Sequence, residues 1–321
     1  MWRYREAIPI HHETSILSMN EGFTPLEEME LDGSRVLVKI DYLFPTGSYK
    51  DRGATVLISK MKEWGVQKVV EDSSGNAGSA VADYCAKARM ECEIYVPRST
   101  SSEKTVQIQA YGATLKKVQG SREKTAEVAM EAVSKIPYAS HCWNPFFLHG
   151  TKTFAFEVWE QMGWKAPEVL VLPIGHGTLF LGVHIGFREL KEAGMIKSIP
   201  RLVGVQSALC APLYQAFKKG WRETRPIKKE ETAAEGIAIS EPVRGRQILE
   251  ATRESDGEIL VVTEKEIWTA LKEMGRKGHF IEPTSAATIA GLKKYLRKKR
   301  RRETVVSTLT GTGLKSVGEM L

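Results

Sequence analysis

Lys50 stands where a Gly/Pro segment, Pro45-Thr46-Gly47-Ser48-Tyr49, gives way to a helical pattern. Ala54, Leu57, Ile58, Met61 and Trp64 recur at helical spacing and Gly65 ends the run, so the spacing predicts an amphipathic helix with the lysine at its N-terminus. The positive end of a helix dipole disfavours an ammonium, and a neutral amine is free to form an imine with a carbonyl. Lys and Arg together number 46, and a lysine taken at random is a solvated surface charge. What sets Lys50 apart is the company of three polar loops.

The first loop is Ser73-Ser74-Gly75-Asn76-Ala77-Gly78. Small residues opening a helix expose backbone N–H groups to an anion such as a carboxylate, and the Asn76 amide can bond a ring oxygen; the same residues also make an ordinary helix cap. The second, Gly175-His176-Gly177-Thr178-Leu179, lets the backbone close on a phosphate, with Thr178 adding a hydroxyl. It matches neither the nucleotide P-loop nor the full dinucleotide fingerprint. His176 contributes its backbone N–H there, its side chain reading as a partly exposed loop histidine. The third, Ser307-Thr308-Leu309-Thr310-Gly311-Thr312-Gly313, is either a plain turn or a hydroxyl placed for a heteroaromatic nitrogen.

All three loops follow predicted strands. Strands are expected at 35–40, 68–71, 92–96, 113–118, 168–173, 201–206, 259–262 and 304–309. Helices are expected at 77–88, 102–111, 122–134, 151–162, 264–276 and 284–296, with another running towards Gly194. Repeated β-α units imply parallel sheets covered by helices, with ligands gathering at the C-terminal strand edges. The pattern breaks at Ser140-His141-Cys142-Trp143-Asn144-Pro145-Phe146-Phe147, and residues 219–231 read as a surface excursion.

At 321 residues, 42% hydrophobic and 26% charged, the chain suits one or two folded domains, and no apolar run is long enough to span a bilayer. Its beginning does not lead into a secretory core. Cys85, Cys92, Cys142 and Cys210 form no C-x-x-C pair, which argues against a zinc or disulfide framework and suits a reducing cytoplasm. The net charge of +7 invites an anionic partner, but much of it is local to Lys293–Arg302. No helix-turn-helix, finger or RNP signature accompanies it, so nucleic acid is not the expected partner.

A lysine for an imine, a glycine cradle for a phosphate, an amide for a phenolic oxygen and a hydroxyl for a ring nitrogen together describe a site for pyridoxal 5′-phosphate. The chain resembles the fold-type II pyridoxal-phosphate enzymes, and among them the threonine synthase-like family. The resemblance is carried by Trp2-Arg3-Tyr4, Glu21 to Leu26, the Lys50 segment, Ser73 to Gly78, Asn144-Pro145, the Gly175 loop, Glu282 to Ala287 and Leu309 to Lys315. It implies an α/β fold of two open parallel-sheet lobes, the tryptophan synthase β-like architecture, with residues 48–141 inserted into a larger domain of 1–47 plus 142–321. It implies that Lys50 carries the cofactor and takes the α-proton, that Asn76 meets its phenolic oxygen, and that Gly175, His176, Gly177, Thr178 and Leu179 hold its phosphate. Thr310 would face its ring nitrogen. Ser73, Ser74, Gly75, Asn76 and Ala77 would receive the α-carboxylate of a small amino-acid substrate. A homodimer is implied as well.

The expected reaction is elimination or replacement at the β or γ carbon, a neutral Thr310 leaving the ring a weaker electron sink than a carboxylate would. Conversion of O-phosphohomoserine to threonine is the leading expectation. Where family members offer polar residues and an arginine to a phosphorylated substrate, this chain has His141, Cys142 and Phe147, and no ring replaces a bidentate guanidinium. The alternatives are a serine/threonine ammonia-lyase or cysteine-synthase-like activity and, in another class, a non-catalytic basic binding protein using Lys293–Arg302.

Overall fold

The computed structural model describes residues 1–120, 122–228, 230–298 and 303–320. The elements begin with β1 (Leu26–Leu31), β2 (Ser34–Lys39), α1 (Lys50–Glu63), β3 (Lys68–Glu71), α2 (Asn76–Ala88), β4 (Glu91–Pro97) and α3 (Ser102–Ala110). They continue with β5 (Thr114–Val118), α4 (Arg122–Val133), α5 (Pro145–Thr151), α6 (Thr153–Gln161), β6 (Val169–Pro173), α7 (Thr178–Glu192) and β7 (Arg201–Ser207). The rest are α8 (Pro212–Lys218), α9 (Gly245–Glu254), β8 (Glu258–Val262), α10 (Glu264–Arg276), α11 (Pro283–Lys298), β9 (Val305–Thr308) and α12 (Val317–Met320).

Packing divides the chain into a smaller unit, Met1–Gly22 with Phe44–Thr151, and a larger one, Phe23–Leu43 with Lys152–Glu319. This division differs from the expected 48–141 insertion at residues 1–22, 44–47 and 142–151, and much of the added chain is in contact with α1. The N-terminal ammonium donates to the Glu21 carbonyl at 2.7 Å, the Trp2 indole donates to Thr55 Oγ1 at 3.2 Å, and Lys60 donates to the Pro9 carbonyl at 3.0 Å. α5 lies directly on α1, because a Cβ at Gly150 would overlap the Arg52 carbonyl and one at Gly53 would overlap the Phe147 ring. The two glycines let the helix backbones approach more closely than side chains would allow.

The smaller unit is built on the parallel sheet β3-β4-β5. β4 alternates buried and less buried residues, the two-residue period of a strand with one face on the core. Val69, Ile94 and Val96 meet Leu57, Ile58, Val81, Tyr84 and Phe147 in that core. The larger unit holds the sheet β1-β2-β9-β6-β7-β8, parallel except for the β1/β2 hairpin. β6 reads Val-Leu-Val-Leu-Pro and is buried throughout, as a central parallel strand covered on both faces must be. Two parallel lobes covered by helices are the expected α/β architecture.

The helix expected at 151–162 is interrupted at Lys152, giving α5 and α6, and α8 and α9 were not expected at all. Lys293 pairs with Glu273 and with Asp32 at 3.1 Å, Lys294 with Glu266 at 3.0 Å, and Arg297 with Asp32 at 2.9 Å. That part of the basic run is therefore engaged within its own unit, while 299–302 fall outside the described residues. Among the described residues, no helix is long and apolar enough to cross a membrane.

Candidate active site

Lys50 is the first residue of α1, as its sequence context predicts. The preceding loop is tied down from both sides. Gly47, at a φ of +81° that favours glycine, donates to the Phe44 carbonyl at 2.7 Å, and the Thr46 N–H donates to Asp51 Oδ2 at 2.8 Å. The Thr46 hydroxyl also donates to Asp51, and Gln107 of α3 donates to the Thr46 carbonyl at 3.2 Å. Lys50 Nζ lies 4.8 Å from the centre of the Tyr49 ring and 5.9 Å from that of Phe147. Two residues earlier, Ser48 is fully buried and its hydroxyl meets no hydrogen-bond partner among the described residues. A buried hydroxyl is costly to leave unpaired, so Ser48 is a place for a polar ligand atom beside the lysine.

The Ser73 loop leaves the C-terminal end of β3 and leads into α2, which starts at Asn76 and packs on α1. Gly75 is the N-cap and no side chain caps the helix. A Cβ at Gly78 would overlap the Ser73 carbonyl, so the loop closes tightly on the helix start. Ser73, Ser74, Gly75, Asn76 and Ala77 thus surround a helix N-terminus of the kind that accepts a carboxylate. Next to the loop, Asp72 accepts the Tyr138 hydroxyl at 2.7 Å, and burial, then the charges of Glu71 and Asp72, push that phenol up.

The broken stretch after Ala139 turns towards the same strand end. His141 Nδ1 is 2.6 Å from Glu71 Oε1, and Cys142 Sγ is 3.0 Å from His141 Nε2. The His141 ring meets the buried Phe147 ring edge-on, with centres 5.9 Å apart. Phe147 therefore neighbours both Lys50 and His141.

In the larger unit, β6 ends in the Gly175 loop and β9 ends just before Thr310. The two strands are parallel hydrogen-bonded neighbours, so both loops leave the same C-terminal sheet edge. α7 begins at Thr178 with Gly177 as N-cap, at φ +77° and without a side-chain cap. A Cβ at Gly177 would overlap Ile248, and one at Gly175 would stand 2.8 Å from the Gly236 carbonyl. Both positions favour glycine, and the loop presents backbone N–H groups of a long helix. This is a cradle that fits a phosphate. His176, Thr178 and Leu179 lie within it; Thr178 and Leu179 are buried.

Thr310 is fully buried. Its hydroxyl lies 3.0 Å from Ser285 Oγ and 3.3 Å from Glu282 Oε1, while Ser285 also receives the Gly311 N–H at 3.0 Å. Ser285 and Glu282 were part of a recognised motif but carried no assigned role; the structure shows that they orient Thr310. Glu71 went unnoticed because it reads only as the last residue of a strand. Among the described residues no cluster of His, Cys, Asp and Glu suits a metal ion.

An uncapped carboxylate seat, a side-chain-free phosphate cradle, a buried neutral hydroxyl and a helix-opening lysine beside an orphaned Ser48 hydroxyl all fit pyridoxal phosphate and its substrate. The comparisons agree. The family model for pyridoxal-phosphate dependent enzymes matches residues 17–311. The chain is 37% identical to the threonine synthase of Methanocaldococcus jannaschii, over 98% of this chain and 80% of that one. It is 35% identical to the threonine synthase of Synechocystis sp., over 97% and 82%. In fold it is similar to maize serine racemase, with a TM-score of 0.81 at 19% identity over 98% and 94% of the two chains. It is also similar to the processed threonine deaminase isoform 2 of Solanum lycopersicum, with a TM-score of 0.80 at 22% identity over 91% and 79%. The chain belongs to the pyridoxal-phosphate dependent enzymes, with pyridoxal 5′-phosphate as its cofactor.

Proposed function

We propose that this enzyme is a lyase of the threonine synthase type, converting O-phosphohomoserine to threonine. The observation that carries the reading is near full-length similarity to threonine synthases in a chain whose Lys50, Asn76, Gly177 and Thr310 all stand at helix starts or strand ends suited to their roles. Bound pyridoxal phosphate supplies an electron sink for charge left at the substrate's α-carbon.

The chain's own residues do the rest. Lys50 holds the cofactor through Nζ and then moves the α-proton as a general base. The backbone from Gly175 to Leu179 binds the phosphate, Asn76 bonds the phenolic oxygen, and Thr310, held by Ser285 and Glu282, meets the ring nitrogen. Ser73 to Ala77 orient the substrate by its α-carboxylate. The Tyr49 and Phe147 rings flank Lys50 Nζ and limit water around it. A homodimer in the cytoplasm completes the proposal, on the family resemblance.

A second reading is favoured by one observation. Phe147 flanks Lys50, and an aromatic ring offers a phosphate dianion none of the paired donors of a guanidinium. That suits an uncharged hydroxyl leaving group, as in a serine/threonine ammonia-lyase. The test begins with the visible spectrum of the purified protein with cofactor, before and after borohydride, beside Lys50→Ala. Phosphate release from O-phosphohomoserine is then set against 2-oxoacid formation from serine and threonine. Phosphate release supports the first reading, 2-oxoacid alone the second, and a protein that takes up no cofactor refutes both.

A further inference from the structure

Three side chains near the end of β3 stand in line. His141 Nδ1 is 2.6 Å from Glu71 Oε1, and His141 Nε2 is 3.0 Å from Cys142 Sγ. A carboxylate has no proton to give, so the proton in the first bond sits on Nδ1. Nε2 then turns its lone pair towards the sulfur, where it can take the thiol proton. Nucleophile, base and orienting carboxylate in this order are the arrangement of an activated nucleophile. The turn is fixed as well, since Ser140 Oγ accepts the N–H groups of Cys142 and Trp143 at 3.3 and 3.2 Å.

Cys142 is 6% exposed and is followed in the chain by Trp143, which is 58% exposed. The other cysteines differ in their neighbours, although Cys92 is exposed to the same 6%. Cys85 is buried against Cys92, and burial, then that neighbour, push its thiol well above the ordinary range. Cys210 is fully buried in the larger unit.

We propose that Cys142 is an activated thiol, with His141 as its base and Glu71 as the residue that positions the base, and that it takes up small disulfides by exchange. In the step, Sγ gives its proton to His141 Nε2 and forms a bond to one sulfur of the disulfide. The disulfide's own S–S bond breaks, and the departing thiolate takes the proton from His141. The products are a mixed disulfide at Cys142 and one free thiol. Cys142 is oxidised, the departing half is reduced, and added thiol reverses the step. The base His141 meets the ring of Phe147, which flanks Lys50. The inference does not depend on which amino acid the enzyme converts.

The charged and titratable groups near His141 and Cys142 include Glu71 and Asp72 at the end of β3, Tyr138, which donates to Asp72, and Lys50 beyond Phe147. Glu71 favours the imidazolium, and the imidazolium favours the thiolate.

The test treats the cofactor-loaded enzyme with iodoacetamide at about pH 6, where an ordinary thiol is protonated and slow, and follows each cysteine by peptide mass spectrometry. Cys142 is expected to react at least about tenfold faster than Cys85, Cys92 and Cys210, in line with its greater thiolate fraction. Hydroxyethyl disulfide is expected to add one adduct, at Cys142, removed by added thiol. Reaction of Cys142 no faster than the others, or an adduct placed elsewhere, overturns the proposal without any variant. His141→Gln and Glu71→Gln are each expected to slow Cys142 and weaken its thiolate ultraviolet absorbance, with His141→Gln the larger effect. Both variants keeping the wild-type rate and absorbance would overturn the relay.

Discussion

Gly177 is a residue of the candidate site whose identity is constrained by its backbone. At φ +77° an L side chain is strained by about 1–2 kcal/mol, and a Cβ there would also overlap Ile248. Gly177→Ala is expected to weaken cofactor binding about tenfold or more, a cost of about 1.4 kcal/mol, in a cofactor titration. Lys50→Ala acts differently. Its exposed consequence is chemical, with kcat falling about a thousandfold through loss of the base and no borohydride-fixed cofactor, while the melting profile of the cofactor-free protein is retained. Much of this was legible in sequence, because glycines and hydroxyls at a strand-to-helix junction have few physical uses. The partners behind them were not. Glu71 meets His141 across 70 positions of sequence, and Ser285 meets Thr310 across 25, so only the folded chain brings them together.

At the scale of elements, β2 is fastened to α6 by a buried charge. Lys39 and Glu157 are both fully buried, 2.9 Å apart, and Gln161 adds an acceptor for Lys39 at 2.8 Å. Removing one partner strands the other charge. Lys39→Met and Glu157→Gln are each expected to destabilise by about 3–5 kcal/mol, and the double variant by less than their sum, as a denaturant-melt cycle would show. The N-terminal segment is fastened to the end of α1 by Glu63. Burial would raise its carboxyl, but Lys60 and the N–H groups of His12 and His11 outweigh burial and hold it at about 2, against 4.5 for the free group. A lowered folded value means the contact is fully present above pH 4.5 and fades as pH falls towards about 2. Glu63→Gln should therefore lower stability at neutral pH and narrow its difference from wild type on acidification, read from melts across that window. The sequence foretold these elements where periodicity is long, as in α1 and α10. It failed at α5, whose seven residues are too few to show a period and which is held by contact with α1 through Gly53 and Gly150.

For the whole molecule, the cofactor is itself a source of stability. A ligand that binds only the folded chain stabilises by mass action, about 2.7 kcal/mol at a hundredfold excess over its dissociation constant. In a chain of 321 residues each kcal/mol moves the melting temperature by only a few degrees, so a shift of several degrees is expected between cofactor-free and cofactor-loaded protein. The variants should divide this shift by mechanism. Gly177→Ala should reduce it at a fixed cofactor concentration and regain it when the concentration is raised, because only affinity is lost. Lys50→Ala should reduce it too, but the cofactor should then wash out on dialysis, because no covalent hold remains. Cys142→Ser should leave the shift intact, since the relay with His141 and Glu71 is assigned to thiol chemistry and not to holding the cofactor. Calorimetry of the four proteins, with and without pyridoxal phosphate, checks all of this in one series. An equal shift in wild type and Gly177→Ala at limiting cofactor would mean that the Gly175 loop does not hold the phosphate.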